Sequence, residues 1–292
     1  MSGAVWGMSE QRSDPRLTPA RADLAAESLR GIVDAPRYVV GEARRVVVPV
    51  APLRREPYAG ASLDTEALYG EAVTVFEDDA EGWSWVQLAS DGYVGYMPTA
   101  ALWTSGPDPT HRVKVSRTFL FPGPDIKLPP MDGLCFASRV AVRRVEGRFA
   151  FTERGAIFAA HLEPLGTVET DFVEVATRFL GVPYLWGGRS ALGLDCSGLV
   201  QTALNACGLP CPRDSHQQEA ALGVSRPLEG PFQRGDLLFW PGHVAIVEAP
   251  DVLLHANAHH MMVAREPLGP ALQRIADAGL PLRTAKRLAL SA

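Results

Sequence analysis

Leu194-Asp195-Cys196-Ser197-Gly198-Leu199-Val200 is the stretch whose reading decides the fold. A cysteine stands among small and polar residues where a helix is expected to open. Behind it Leu199, Val200, Ala203, Leu204 and Cys207 recur at the spacing of one helix face. Gly208 follows in the C′ position that glycine favours. A thiol at a helix N-terminus feels the positive end of the macrodipole, which favours the thiolate and so makes a nucleophile. A lone cysteine at a helix start is more often structural than reactive, so the rest of the chain has to supply its partners.

Downstream, Gly235-Asp236 turns into Leu237-Leu238-Phe239-Trp240. Pro241-Gly242 turns into His243-Val244-Ala245-Ile246-Val247, and Val252 to Asn257 follows. A helix followed by strands joined by tight turns gives an α+β arrangement. His243 opens one strand and His255 lies near the end of the next. If the two strands pair, the imidazoles meet across the ladder. A nucleophilic cysteine needs a base to remove its proton, and the base needs a polar group to hold its ring and tautomer. Cys196, His243 and His255 can fill these three roles, with His259 or His260 as competitors for the third. Upstream, Phe172, Val175, Ala176, Phe179 and Leu180 mark another helix, capped by Thr170 or Asp171 and closed by Gly181.

The N-terminal half has a different texture. From Arg44 to Trp103 the chain reads as short alternating strands, Ala72 to Phe76, Trp83 to Leu88 and Tyr93 to Pro98, which describe a small barrel. Val113 to Leu165 reads as a diverged second copy. Cys135 to Val142 lines up with Leu68 to Val75, which sets Ser138 opposite Glu71, and Gly155 to Phe158 lines up with the Gly92 segment. The expected domains are an extension over 1–43 with a short helix from Ala22 to Leu29, barrels over 44–105 and 110–166 joined at Ser105-Gly106-Pro107, and an α+β domain over 167–292. The extension is expected to pack as a strap on a neighbouring domain.

Composition is that of a globular protein, 47% hydrophobic and 21% charged over 292 residues. A net charge of -5 offers no basic surface for nucleic acid. No apolar run approaches the roughly 20 residues of a membrane span. Met1 to Pro15 lacks the basic start and apolar core of a secretory leader, which suggests a cytoplasmic protein. Four cysteines suit a reduced compartment. Cys207, Cys211 and His216 match no common zinc spacing, so no metal and no cofactor are expected.

Tyr184-Leu185-Trp186-Gly187-Gly188, Asp195 to Val200, Gly235-Asp236-Leu237 and His243 to Val247 together resemble the motifs of the NlpC-type family of papain-like cell-wall cysteine peptidases. The resemblance covers about Thr167 to Ala292. It implies a circularly permuted papain-like domain with Cys196 as nucleophile, His243 as base and His255 as third member. It also implies cleavage of the bond from γ-D-glutamyl to a diamino acid in peptidoglycan peptides.

Two SH3-like barrels ahead of such a domain resemble the subgroup that trims free murein tripeptides or tetrapeptides with an unblocked N-terminal L-alanine, in cell-wall recycling. Glu71 in Tyr69-Gly70-Glu71 matches that subgroup's acidic residue for the substrate amine. Tyr93, or Tyr96, matches its tyrosine. By motif position Tyr184, Trp186, Asp195, Ser197, Asp214 and Ser215 are expected around the cleft. A cleft bearing Glu71 and Asp195 would favour a free ammonium and penalise a capped one, because a buried unpaired charge is costly. Two other functions use the same motifs: an acyltransferase or amidase on this scaffold, separated by release of free diamino acid, and a wall-binding module with an inactive hydrolase, against which the three reactive side chains argue.

Overall fold

A computed structural model of the chain describes residues 14–104 and 106–289. Residues 1–13 of the segment read for a leader and Ser105 of the linker lie outside them, as do 290–292. The chain divides into two units, with the boundary between Leu165 and Gly166.

In the first unit, seven strands form one sheet in the spatial order 102–103, 42–46, 72–78, 83–88, 94–98, 50–54 and 63–68. The inward positions of their alternating pattern, among them Val46, Leu53, Val73, Val75, Val86, Leu88 and Met97, make one buried cluster. Residues 111–164 build a five-stranded and a three-stranded sheet around Val113, Leu120, Leu134, Val140, Ala150 and Ile157.

The aligned segments of the two copies fold into the same turn. Glu71 N–H donates to the Leu68 carbonyl and Val46 N–H to the Glu71 carbonyl, each at 3.0 Å. Ser138 N–H donates to Cys135 at 3.0 Å and Val113 N–H to Ser138 at 2.9 Å. The turn needs a left-handed residue before that position. Gly70 supplies it at φ 78°, and Ala137 at φ 67° holds it against the usual Cβ penalty.

The helix expected at Ala22–Leu29 is not formed. Leu24–Ala26 is a strand between Ala20–Arg21 and Tyr38–Val39, followed by a single 3-10 turn at Glu27–Leu29. Leu24, Ala25 and Ala26 are all buried, which a short one-faced helix cannot achieve. A helix this short is marginal in water. The strand instead pairs with its neighbours and seats Leu24 against Trp85 and Val94, a burial that stabilises by about 1.5–3 kcal/mol. The extension is thus strapped to the first barrel, where Val94 N–H also donates to the Arg16 carbonyl at 2.6 Å.

Among the described residues the second unit holds four helices: α1 (Phe172–Thr177), α2 (Cys196–Ala206), α3 (Ser215–Ala221) and α4 (Leu268–Asp277). Its main sheet has six strands: β1 (Val224–Arg226), β2 (Asp236–Trp240), β3 (His243–Ala249), β4 (Val252–Asn257), β5 (Met262–Pro267) and β6 (Thr284–Arg287). Their spatial order is β1-β6-β2-β3-β4-β5, all antiparallel. Asp171, the cap of α1, accepts from the N–H groups of Val173 and Glu174. The central strand β2 is buried throughout. Ala271 and Ile275 of α4 pack with Ala245, Val247 and Leu253 of the sheet. Among the described residues no helix is long and apolar enough to cross a membrane.

Candidate active site

Cys196 is the first residue of α2, and Asp195 caps the helix by accepting from Gly198 N–H at 2.7 Å. The apolar stripe Leu199, Val200, Ala203 and Leu204 is fully buried behind it. Gly188 and Gly198 let the approach loop lie directly on the first turn, since a Cβ at Gly198 would sit 2.3 Å from the Gly188 carbonyl oxygen. The sulfur faces the turn that opens β3. The Cys196 Sγ lies 4.0 Å from the Gly242 carbonyl oxygen, and Val244 N–H hydrogen-bonds to it.

His243 stands between those two residues as the first of β3. The β3–β4 register, with Ile246 opposite Leu254, sets His243 and His255 diagonally on one face. His243 Nε2 and His255 Nδ1 are 2.8 Å apart. Trp240, directly opposite His243 in the ladder, packs its ring 5.6 Å from the imidazole. His255 is 1% exposed, and its Nε2 lies 3.0 Å from Glu266 Oε1 on β5. Arg274 of α4 donates to both Glu266 oxygens at 2.7 and 2.8 Å. His260 bonds to Asn257 and reaches Glu266 at 3.4 Å, so its contacts lie behind His255.

Electrostatics correct the expectation of a thiolate. Burial first, and then the neighbouring Asp195 charge, push the Cys196 thiol up to about 12. Desolvation outweighs the helix end here. His243 is held down to about 3 by burial, with further lowering from His255 and Arg274. Both shifts favour the neutral forms, a thiol at Cys196 and an imidazole at His243. Glu266 is lowered to about 2, first by its hydrogen bond to His255 and then by Arg274 against the cost of burial.

Asp195 also departs from expectation. Its carboxylate takes Gly187 N–H at 2.9 Å, Gly198 N–H, the Ser197 hydroxyl at 3.2 Å and both terminal nitrogens of Arg213 at 2.9 and 2.7 Å. Arg213 is itself 1% exposed. All the acceptor capacity of Asp195 is spent and its charge is compensated, so it is not the ammonium holder anticipated from its place beside the cysteine. Ser197 is likewise turned inward, donating to Asp195 and accepting from Arg213 at 3.1 Å, which removes it from the expected cleft surface.

The remaining candidates fall into three groups. Tyr184 belongs with the sulfur: its phenol is raised by burial and by the charges of Cys196 and Asp195. Trp186 is 70% exposed on the approach loop. Asp214 is the N-cap of α3 in a capping box with Gln217, and Ser215 begins that helix. In the first unit, Glu71 is 5% exposed and its Oε2 accepts from Leu68 N–H at 3.2 Å. Tyr93 is 1% exposed within the barrel core. Tyr96 is engaged by Arg21 of the strap at 3.3 Å. Glu266, Arg274 and Arg213 are absent from the sequence-derived set. The sequence signal for Glu266 is its position, since a turn at Asn257–Met261 places residue 264 opposite His255 and 266 diagonal to it.

The chain is similar to known proteins in both of its units. Residues 181–275 match the NlpC/P60 family model, and residues 53–102 match the bacterial dipeptidyl-peptidase SH3 domain. A Bacillus subtilis γ-D-glutamyl-L-lysine dipeptidyl-peptidase is 32% identical over 195 residues, which cover 61% of this chain and 64% of that protein. Dipeptidyl-peptidase 6 of Lysinibacillus sphaericus is 27% identical over 73% of this chain and 86% of its own length. The crystal structure of an NlpC/P60 family protein from Bacillus cereus superposes with a TM-score of 0.72 over 86% of this chain and all of that one, at 22% identity, which establishes a shared fold. Residues 181–275 are thus an NlpC/P60 domain of papain-like architecture that follows a dipeptidyl-peptidase SH3 domain in the chain, and its cysteine and paired imidazoles are the side chains a cysteine peptidase needs.

Proposed function

We propose that the protein hydrolyses the γ-D-glutamyl–diamino acid bond of murein peptides that carry a free N-terminal L-alanine, acting on peptides already cut from the wall. The observation that carries this reading is the His243–His255 contact at 2.8 Å beside the thiol of Cys196. His243 uses Nε2 in that contact, so its Nδ1 is the nitrogen left to receive the thiol proton. Sulfur then attacks the γ-carbonyl carbon, and the positive end of α2 favours the developing oxyanion. The C–N bond breaks as His243 returns its proton to the leaving amine, leaving a thioester on Cys196. Water, deprotonated by His243, then releases the acyl fragment and restores the thiol.

The Bacillus subtilis relative is named for dipeptidyl-peptidase activity at γ-D-glutamyl-L-lysine, which supports the bond and the release of a dipeptide. For the free amine, Glu71 is the residue put forward, on the motif match of Tyr69-Gly70-Glu71, with Tyr93 as its proposed companion.

The test is incubation with L-Ala-γ-D-Glu-meso-diaminopimelate, its N-acetylated form and its muramoyl-linked form, with products read by mass spectrometry. The free peptide should release diaminopimelate, the capped forms should react far more slowly, and Cys196→Ala should abolish turnover. Acyl transfer to an added amine without release of the diamino acid, or full turnover by Cys196→Ala, would overturn the reading.

A further inference from the structure

Two imidazoles sharing one hydrogen bond are degenerate. The 2.8 Å contact between His243 Nε2 and His255 Nδ1 is satisfied whichever nitrogen donates. In one arrangement His243 Nε2 carries the proton and its Nδ1 lone pair can accept from the thiol. In the other His255 Nδ1 donates, His243 carries its proton on Nδ1, and the thiol proton has nowhere to go. Only the first arrangement supports catalysis, and nothing within the pair selects it.

We propose that Glu266, clamped by Arg274, is a positioning residue that fixes the proton order of the whole relay from Cys196 to His255. This rests on the reading of Cys196 as nucleophile and His243 as base. Both oxygens of Glu266 are held by the Arg274 guanidinium, and Oε1 also faces His255 Nε2 at 3.0 Å. A carboxylate only accepts, so His255 Nε2 must be the donor. When the His255 ring carries a single proton, that proton is on Nε2 and its lone pair on Nδ1, which obliges His243 Nε2 to donate, and the one lone pair left to His243 is on Nδ1. His255 is 1% exposed and the Glu266 side chain 10%, so water is poorly placed to substitute for either contact. The low proton affinity of Glu266 and of His243 keeps the carboxylate charged and the base neutral in the resting enzyme.

A purely structural role is the competing account, because the same carboxylate ties β5 to α4 through Arg274. Glutamine at 266 separates the two. With Arg274 present, the amide oxygen turns to the guanidinium and the amide N–H groups turn to His255 Nε2, which must now accept. The relay inverts, although size and the link to α4 are kept. Adding Arg274→Met frees the amide to turn its oxygen back to His255.

The experiment uses the full-length protein with 15N-labelled histidine. Ring-nitrogen NMR reads which nitrogen of His243 is unprotonated, and steady-state kinetics follow on the murein peptide. In the native protein the unprotonated nitrogen should be Nδ1, and in Glu266→Gln it should be Nε2. Glu266→Gln should lower kcat roughly 10–100-fold with little change in KM. The double variant Glu266→Gln/Arg274→Met should recover most of the loss, and Arg274→Met alone should retain most of the activity. An unprotonated Nε2 on His243 in the native protein would overturn the inference without recourse to any variant. So would an unchanged tautomer in Glu266→Gln, or equal losses in both single variants with no recovery in the double. The predicted tautomers together with no turnover of murein peptides would leave the proton order standing and sink the proposed substrate instead.

Discussion

Replacing Arg213 with methionine should destabilise the catalytic unit severely. Arg213 lies under the first turn of α2, where it neutralises Asp195 through two hydrogen bonds, donates to the Gly188 carbonyl at 3.2 Å and to the Ser197 hydroxyl. Methionine matches the length of the stem and fills the space, so the loss is one of charge and donors. A buried carboxylate robbed of its partner costs about 3–5 kcal/mol. For a unit of this size each kcal/mol moves the midpoint by about 3–5 °C, so Tm should fall by roughly 10–20 °C. Circular dichroism melting of the full chain at neutral pH measures it. The double variant Arg213→Met/Asp195→Asn removes the orphaned charge and should regain at least half of the loss. A fall of less than about 3 °C, or no relief in the double variant, would show that solvent reaches Asp195 and that the ion pair does not hold this corner together.

Two further outcomes follow from the same corner. Because the Cys196 thiol is raised to about 12, its alkylation by iodoacetamide should climb steadily from neutral pH to above pH 9 with no plateau, whereas a plateau between about pH 5 and 8 would mean a resting thiolate–imidazolium pair. Gly198→Ala drives a Cβ to 2.3 Å from the Gly188 carbonyl oxygen, a backbone atom that already accepts from Asp195 N–H and Arg213. It should cost about 1–3 kcal/mol and most of the activity, and a variant that melts and turns over like the native protein would show that the loop gives way freely.

What the sequence revealed and what it concealed divide along physical lines. Cys196, His243 and His255 were legible because tight turns fix strand register, and register fixes which side chains share a face. Glu266 was not, since Met262-Val263-Ala264-Arg265-Glu266-Pro267 alternates like any solvated edge strand; its partner Arg274 comes from α4, which follows at once but packs back on the sheet in a way the alternation does not show. In the sequence Arg213 is one charge in the polar run Arg213-Asp214-Ser215-His216-Gln217-Gln218, yet among the described residues it is one of the most deeply buried side chains. The upward shift of the thiol is hidden from the sequence for a related reason. A helix dipole can be read from spacing, but the desolvation that overrides it depends on packing. Leu24–Ala26 reversed its expected conformation because its partner strand, Tyr38–Val39, lies beyond a proline-punctuated loop.

The place of β6 in the sheet bears on how the molecule is made. This strand, the last of the sheet to be synthesised, lies between β1 and β2, and its Arg287 binds both oxygens of Asp236, a carboxylate with 1% exposure at the head of β2. While the chain is being translated, β2 therefore has an open edge and a buried acid without its cation for as long as the roughly 50 residues in between are being added. The thiol and both histidines exist by then, but the sheet that carries the histidines is unfinished. The sheet that carries both histidines is complete only once its closing strand has been made.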